Sequence, residues 1–263
     1  MGNETKYIGK KIKVHFYDQP TNGINYIRIK ANLKNLPEEH RIFVPMFKEL
    51  FSNIGTKNYK YDIFNDKLMN STNGLEVSID KFAYTEDHLD IFNRNEQVLL
   101  QTGFLDRNID EAFVCLSEIM ATPNFDDHEN ISDLIRMESV EKASNMGNKG
   151  LEYGRSYSNS GLKAFAKSFE ELNSDIFFCQ FAQELLSTSN PKVVLRDAVM
   201  HMTEIASFIF REDNIEFAVH GNKAKFELIM MKLELLVNQM SKENSRFHEH
   251  HSNIERIDSE FSS

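Results

Sequence analysis

The sequence predicts an α+β fold with a mainly antiparallel sheet and helices covering one of its faces. Three observations carry this. Alternating strand-length segments open the chain, a second pair of strands follows two helices, and a long helical stretch ends in one more strand and one more helix. The 263 residues are 41% hydrophobic and 27% charged, enough apolar material for one large core.

Residues 10–16 alternate, Gln19-Pro20-Thr21-Asn22-Gly23 is a turn, and residues 24–33 alternate again through Ile24, Tyr26, Ile27, Ile29 and Ala31. Pro37, Glu38 and Glu39 suit a first helical turn, with the acids at the positive end of the dipole. Phe43, Val44, Phe47, Leu50, Phe51 and Ile54 then recur at helical spacing until Gly55, predicting one helix. A second helix is expected over 59–70, a strand through Leu75, Val77 and Ile79, and another over 97–104. Helices are expected over 109–121, 128–146, 162–168, 174–188 and 191–210, a strand over 215–220, and a last helix over 223–240. The element count favours one domain over residues 10–240. Residues 1–9 read as an N-terminal extension and 241–263 as a polar tail or linker.

Forty acidic residues against thirty basic ones give a net charge of −10, which disfavours nucleic acid and anionic membrane surfaces as partners. No stretch approaches the roughly 18 apolar residues of a membrane helix. Cys115 and Cys179 stand apart in apolar helical patterns, so buried thiols in a reducing compartment are expected (cytosol, mitochondrial matrix or a plastid-type organelle).

No P-loop, G-x-G-x-x-G or G-x-S-x-G pattern occurs. The inverted zincin motif H-x-x-E-H, which supplies two metal ligands and a general base from one helix face, is approached only by His201-Met202-Thr203-Glu204-Ile205. Isoleucine replaces the second ligand, and His201 reads as a helix residue among apolar neighbours. His248, Glu249, His250 and His251 lie in the polar tail without partners to orient their imidazoles. No metal or catalytic group is therefore assigned to this chain. Two features remain open to a ligand. The glycine-punctuated segment 147–158 sets Arg155 among Tyr153 and Tyr157, a combination able to hold a peptide carbonyl or carboxylate, or simply a solvated polar loop. The strand segments 26–32 and 75–85 offer an edge to an extended peptide, or an edge capped by charges such as Lys81.

The Asp18-to-Tyr26 turn, Leu36-Pro37-Glu38-Glu39, Val44-Pro45-Met46-Phe47, Gly55-Thr56, Asn73-Gly74 and Leu105-Asp106-Arg107-Asn108 resemble, in order and spacing, the third domain of presequence proteases and falcilysin. These form a branch of the pitrilysin/insulinase family of zinc metallopeptidases. The resemblance covers residues 10–236. It implies an insulinase-like, peptidase-associated domain without catalytic residues. The parent would be a zinc metalloendopeptidase whose N-terminal half carries the metal, and this domain, with a following one, would form the far wall of a peptide-binding chamber. The partners implied are peptide substrate and those other parts of the same protein. In that family an arginine and a tyrosine of the C-terminal half meet the substrate backbone. Arg155 matches the arginine, with Tyr157 and Tyr153 beside it. The alternative is a stand-alone pseudo-peptidase module that binds a peptide or protein partner.

Overall fold

The computed structural model describes residues 3–9, 11–82, 95–160 and 175–241. Six strands, β1 (Asn3–Ile8), β2 (Ile12–Asp18), β3 (Ile24–Asn32), β4 (Glu76–Phe82), β5 (Asn95–Leu105) and β6 (Ile215–Gly221), form one sheet in the order β1-β2-β6-β3-β5-β4. All neighbours are antiparallel except β2 and β6, which run parallel. The helices are α1 (Glu38–Arg41), α2 (Val44–Phe51), α3 (Tyr61–Ser71), α4 (Ile109–Ala121), α5 (His128–Asn148), α6 (Gly150–Ser160), α7 (Asp175–Ser187), α8 (Pro191–Ile209) and α9 over residues 226–241.

Strand alternation decides which face is covered. Val14 and Phe16 of β2, Ile27 and Ile29 of β3, Val98 and Leu100 of β5, and Phe217 and Val219 of β6 are all buried. They join one core cluster with Phe47 and Phe51 of α2, Leu116 of α4, Met202 and Ile205 of α8 and Leu233 of α9. Each such side chain contributes about 1.5–3 kcal/mol by leaving water. This is the α+β architecture read from the sequence, with the sheet mainly antiparallel and its helices on one face.

Four expectations change in detail. Residues 37–54 form two short helices instead of one, because Pro45 has no amide hydrogen and cannot continue the ladder from α1. Asn3–Ile8, set apart as an extension, is an edge strand paired with β2 from Asn3↔Tyr17 to Ile8↔Ile12. Its burial is confined to Ile8, so no alternating apolar signal marks it. The glycine-punctuated segment is the helix α6, because Gly147 lies inside α5 and only Lys149 breaks the run. Finally, β3 is paired on both sides and offers no edge, which leaves β1 and β4 as the edges of the described sheet. The helix expected at 162–168, the strand end at 83–85 and the tail with His248, His250 and His251 lie outside the described residues.

One buried ion pair crosses the core. Arg41 of α1, 4% exposed, donates from Nη2 to Glu96 of β5, 0% exposed, and from Nη1 to the Leu33 carbonyl at 3.3 Å.

Candidate functional site

The face of the sheet opposite the core is polar and reads in rows across the strands. One row runs Tyr17, His220, Tyr26, Gly103. The next runs His15, Ala218, Arg28, Gln101, Glu76. Between β3 and the β4 end of the sheet this face sinks into a cavity of about 550 Å³ lined by Tyr26, Arg28, His220, Gln101 and Glu76.

Small residues and turns shape it. Gly103 has no side chain, so the Tyr26 ring leans over it: a Cβ there would stand 3.1 Å from Tyr26 Cδ1. Asn73 closes one wall by accepting the Gly103 N–H on Oδ1 at 2.6 Å, and Thr102 Oγ1 donates to the Gly74 carbonyl at 2.6 Å. Gly74 sits at φ +92°, a backbone region that favours glycine. At the other wall the Gln19–Gly23 turn places Asn22 at φ 52° and Gly23 at φ +80°. Asn25, just beyond the turn, is fully buried; its Nδ2 donates to Asp106 Oδ1 at 2.8 Å. A Cβ on Gly221 would come 2.5 Å from Asn25 Oδ1, so β6 approaches β3 closely only because that residue is glycine. Two of the motifs that carry the family resemblance, the turn after Asp18 and Asn73-Gly74, thus form the rims of this cavity.

The charges are unevenly satisfied. Gln101 Nε2 donates to Glu76 Oε2 at 2.6 Å, which engages one oxygen of that carboxylate. Arg28, exposed in the same row, makes no ion pair or hydrogen bond with any described residue. His220 stacks on Tyr17 with ring centroids 4.6 Å apart. Burial, then the nearby Arg28 guanidinium, holds its pKa below the ordinary histidine value.

The residues singled out from sequence stand on α6. Tyr153 Oη donates to Asp175 of α7, whose other oxygen accepts from Lys142 Nζ at 3.0 Å; the same ammonium donates to Glu49 Oε1 at 3.0 Å. Burial and the Asp175 carboxylate push the Tyr153 phenol up to about 12. Burial works against the Lys142 ammonium, yet Glu49 and Asp175 keep its pKa above the ordinary lysine value. Tyr153 therefore ties α6 to α2, α5 and α7. Arg155 is exposed, and Tyr157 is 71% exposed. Helical spacing puts Tyr153 and Tyr157 on one side and Arg155 on another, so these groups do not converge on one ligand atom within α6. The cavity residues Tyr26, Arg28, Gln101 and His220 escaped the sequence reading because they lie on three strands remote in sequence. Their only local sign is a polar residue at alternate positions.

His201 meets another histidine: its Nδ1 lies 2.8 Å from His40 Nδ1, and its ring stacks on Phe43 at 4.1 Å. Among the described residues no group of three or more His, Cys, Asp or Glu side chains is placed to hold a metal ion. The described residues do not fit a catalytic zinc. No helix of the described residues is long and apolar enough to cross a membrane.

The class defined by this fold is the insulinase-like metallopeptidase domain. The chain belongs to the family of domains associated with M16 peptidases of subfamily C, whose model matches residues 2–185. It is 25% identical over 230 residues to the mitochondrial presequence protease of Danio rerio, covering 88% of this chain and 22% of that protein. It is 28% identical over 208 residues to the mitochondrial presequence protease of Saccharomyces cerevisiae, covering 76% of this chain and 20% of that one. The chain spans about a fifth of the length of the curated relatives it matches. Among solved structures, a peptidase M16 inactive domain from Pseudomonas fluorescens superposes with TM-score 0.58 at 12% identity, covering 91% of this chain and 51% of that one. A protease from Helicobacter pylori gives TM-score 0.55 at 14% identity, covering 89% and 50%. These two likenesses are of fold.

Proposed function

We propose that this chain is a non-catalytic domain of a presequence-protease-like zinc metalloendopeptidase and lines the far wall of its peptide-binding chamber. The observation that supports this best is the open polar sheet face with its 550 Å³ cavity, rimmed by two of the motifs that carry the family resemblance. The zinc and its general base belong to the preceding half of the parent protein, since the residues described here do not supply them. Bound in that half, zinc would activate the attacking water. The chain's own contribution is geometric: the sheet face and α6 position an unfolded peptide and keep folded proteins out, so the gain lies in orientation. Residues 3–240 act as one unit, and the mitochondrial names of the relatives, with free Cys115 and Cys179, favour a reducing matrix.

Within this reading Arg155 points toward substrate from α6, Tyr157 flanks the peptide, and Tyr153 contacts substrate only if its bond to Asp175 opens; otherwise it holds the helix in place. Two experiments test it. Titrating the chain with an unstructured peptide should shift NMR signals of open-face residues on β3, β5 and β6; a titration that leaves those signals unmoved would refute the wall reading. In the complete peptidase, Arg155→Ala with unchanged Tm should lower turnover at least about tenfold, since one donor aimed at developing charge is worth roughly a hundred- to a thousandfold. Arg155→Lys should restore only part, because a point charge lacks the guanidinium fork. Turnover within about twofold of the parent would return Arg155 to the solvent surface.

A further inference from the structure

We propose that the cavity on the open sheet face is a carboxylate-recognition subsite, in which Arg28 takes the carboxylate of a bound peptide while Tyr26 and His220 wall its stem. This rests on the peptide-wall reading and adds to it what part of the peptide the wall selects.

Arg28 is set apart by its place, as the lysine or arginine side chain in the cavity lining. Forty acidic residues stand against thirty basic ones, and several cations are paired: Lys13 with Glu216 at 3.5 Å, Lys232 with Asp110 at 2.5 Å, Arg211 with Asp213 at 2.7 Å. Arg28 stands exposed inside a cavity and has no such partner among the described residues. The nearest acid in its row, Glu76, lies beyond Gln101 and is engaged by it at 2.6 Å. On the other side the row continues into Ala218, which carries no charge.

The surrounding chemistry fits one ligand class. Arg28 offers only donors, in the planar fork that matches a carboxylate in bidentate fashion. His220 sits one row away and lies close enough to feel the guanidinium, with no acid interposed. The Tyr26 ring, laid against Gly103, gives a flat apolar wall for the carbon stem that carries the carboxylate. The cavity volume falls in the range of about 300–1,000 Å³ usual for small-ligand sites and suits the end or one side chain of a peptide, not a folded surface.

Two sources share this chemistry, the C-terminus of a peptide and an Asp or Glu side chain. Since the chain contains no tryptophan, a short, otherwise uncharged N-acetylated peptide with one tryptophan reports its own binding by fluorescence. Three forms are titrated into the chain: free C-terminal carboxylate, C-terminal amide, and C-terminal amide with one internal glutamate. At least one carboxylate form should bind about tenfold more tightly than the neutral amide, as a charge-assisted bidentate pair outweighs a neutral contact. The form that does so names the source. Arg28→Gln, checked for unchanged Tm, should bring that peptide to the affinity of the neutral amide, and Arg28→Lys should lie between. If all three forms bind alike, or if Arg28→Gln leaves the preference intact, the carboxylate assignment is overturned while peptide binding by the wall stands. If no form binds, both fall.

Discussion

Replacing Arg41 by methionine tests how the core tolerates its one described buried ion pair. Methionine keeps most of the aliphatic stem and removes the cation, which leaves Glu96, 0% exposed, without its partner and the Leu33 carbonyl without its donor. Breaking a buried pair by removing one member costs about 3–5 kcal/mol, because the surviving charge keeps its desolvation penalty. At about 2–4 °C per kcal/mol for a chain of this size, Tm should fall by roughly 6–20 °C. Glu96→Leu should cost a similar amount. The double variant Arg41→Met/Glu96→Leu should recover most of the loss, since an apolar pair of similar volume is often neutral or better. Calorimetry on the four proteins at one pH closes the cycle. Single losses below about 1 kcal/mol, or a double variant whose loss equals the sum of the singles, would show that the pair is solvated or uncoupled in solution and would refute the reasoning.

Burial, helped by His40 and opposed by Asp197, holds His201 below the ordinary histidine value of 6.5, and burial with Arg28 lowers His220. The unfolded chain therefore binds more protons, and their contribution to stability is full above about pH 6.5 and lost as pH falls through the lower native values. Tm should decline from about pH 7.5 to about 5.5, less steeply in His201→Gln; equal slopes would remove His201 from the account. Gly221→Ala should cost about 1–3 kcal/mol, since its Cβ meets Asn25 Oδ1 at 2.5 Å. Gly147→Ala in α5, where a Cβ meets nothing within 4 Å, should stabilise by about 0.4–1 kcal/mol. Urea midpoints that move in the same direction would contradict the contrast.

The strands were legible because their buried residues alternate: Ile27, Ile29 and Ala31 announce β3 as plainly as Ile215, Phe217 and Val219 announce β6. β1 was not, since pairing along a polar edge leaves no apolar alternation. α6 was obscured by Gly150 and Gly154, which weigh against a helix locally. Tyr153, tied to Asp175 and in reach of Lys142, gives that helix a tertiary anchor that propensity does not record. The cavity was half legible. Its turns, with Asn22, Gly23 and Gly74 at positive φ, are local and carry a local signature. Arg28, Gln101 and His220 come together only through the pairing of three strands, and pairing partners cannot be read from spacing along the chain.

The position of β6 bears on how the protein is made. It lies between β2 and β3, so two strands within the first 32 residues are joined through one that begins at residue 215. On a ribosome β2 and β3 emerge with facing edges that lack their shared neighbour until residues 215–221 have been synthesised. The sheet is therefore completed late, through contacts of long sequence separation that slow folding. A product ending at residue 185, where the family match stops, would lack the strand that joins β1-β2 to β3-β5-β4 and leave the facing edges of β2 and β3 unpaired. Premature termination there should give an aggregating chain and not a smaller working domain.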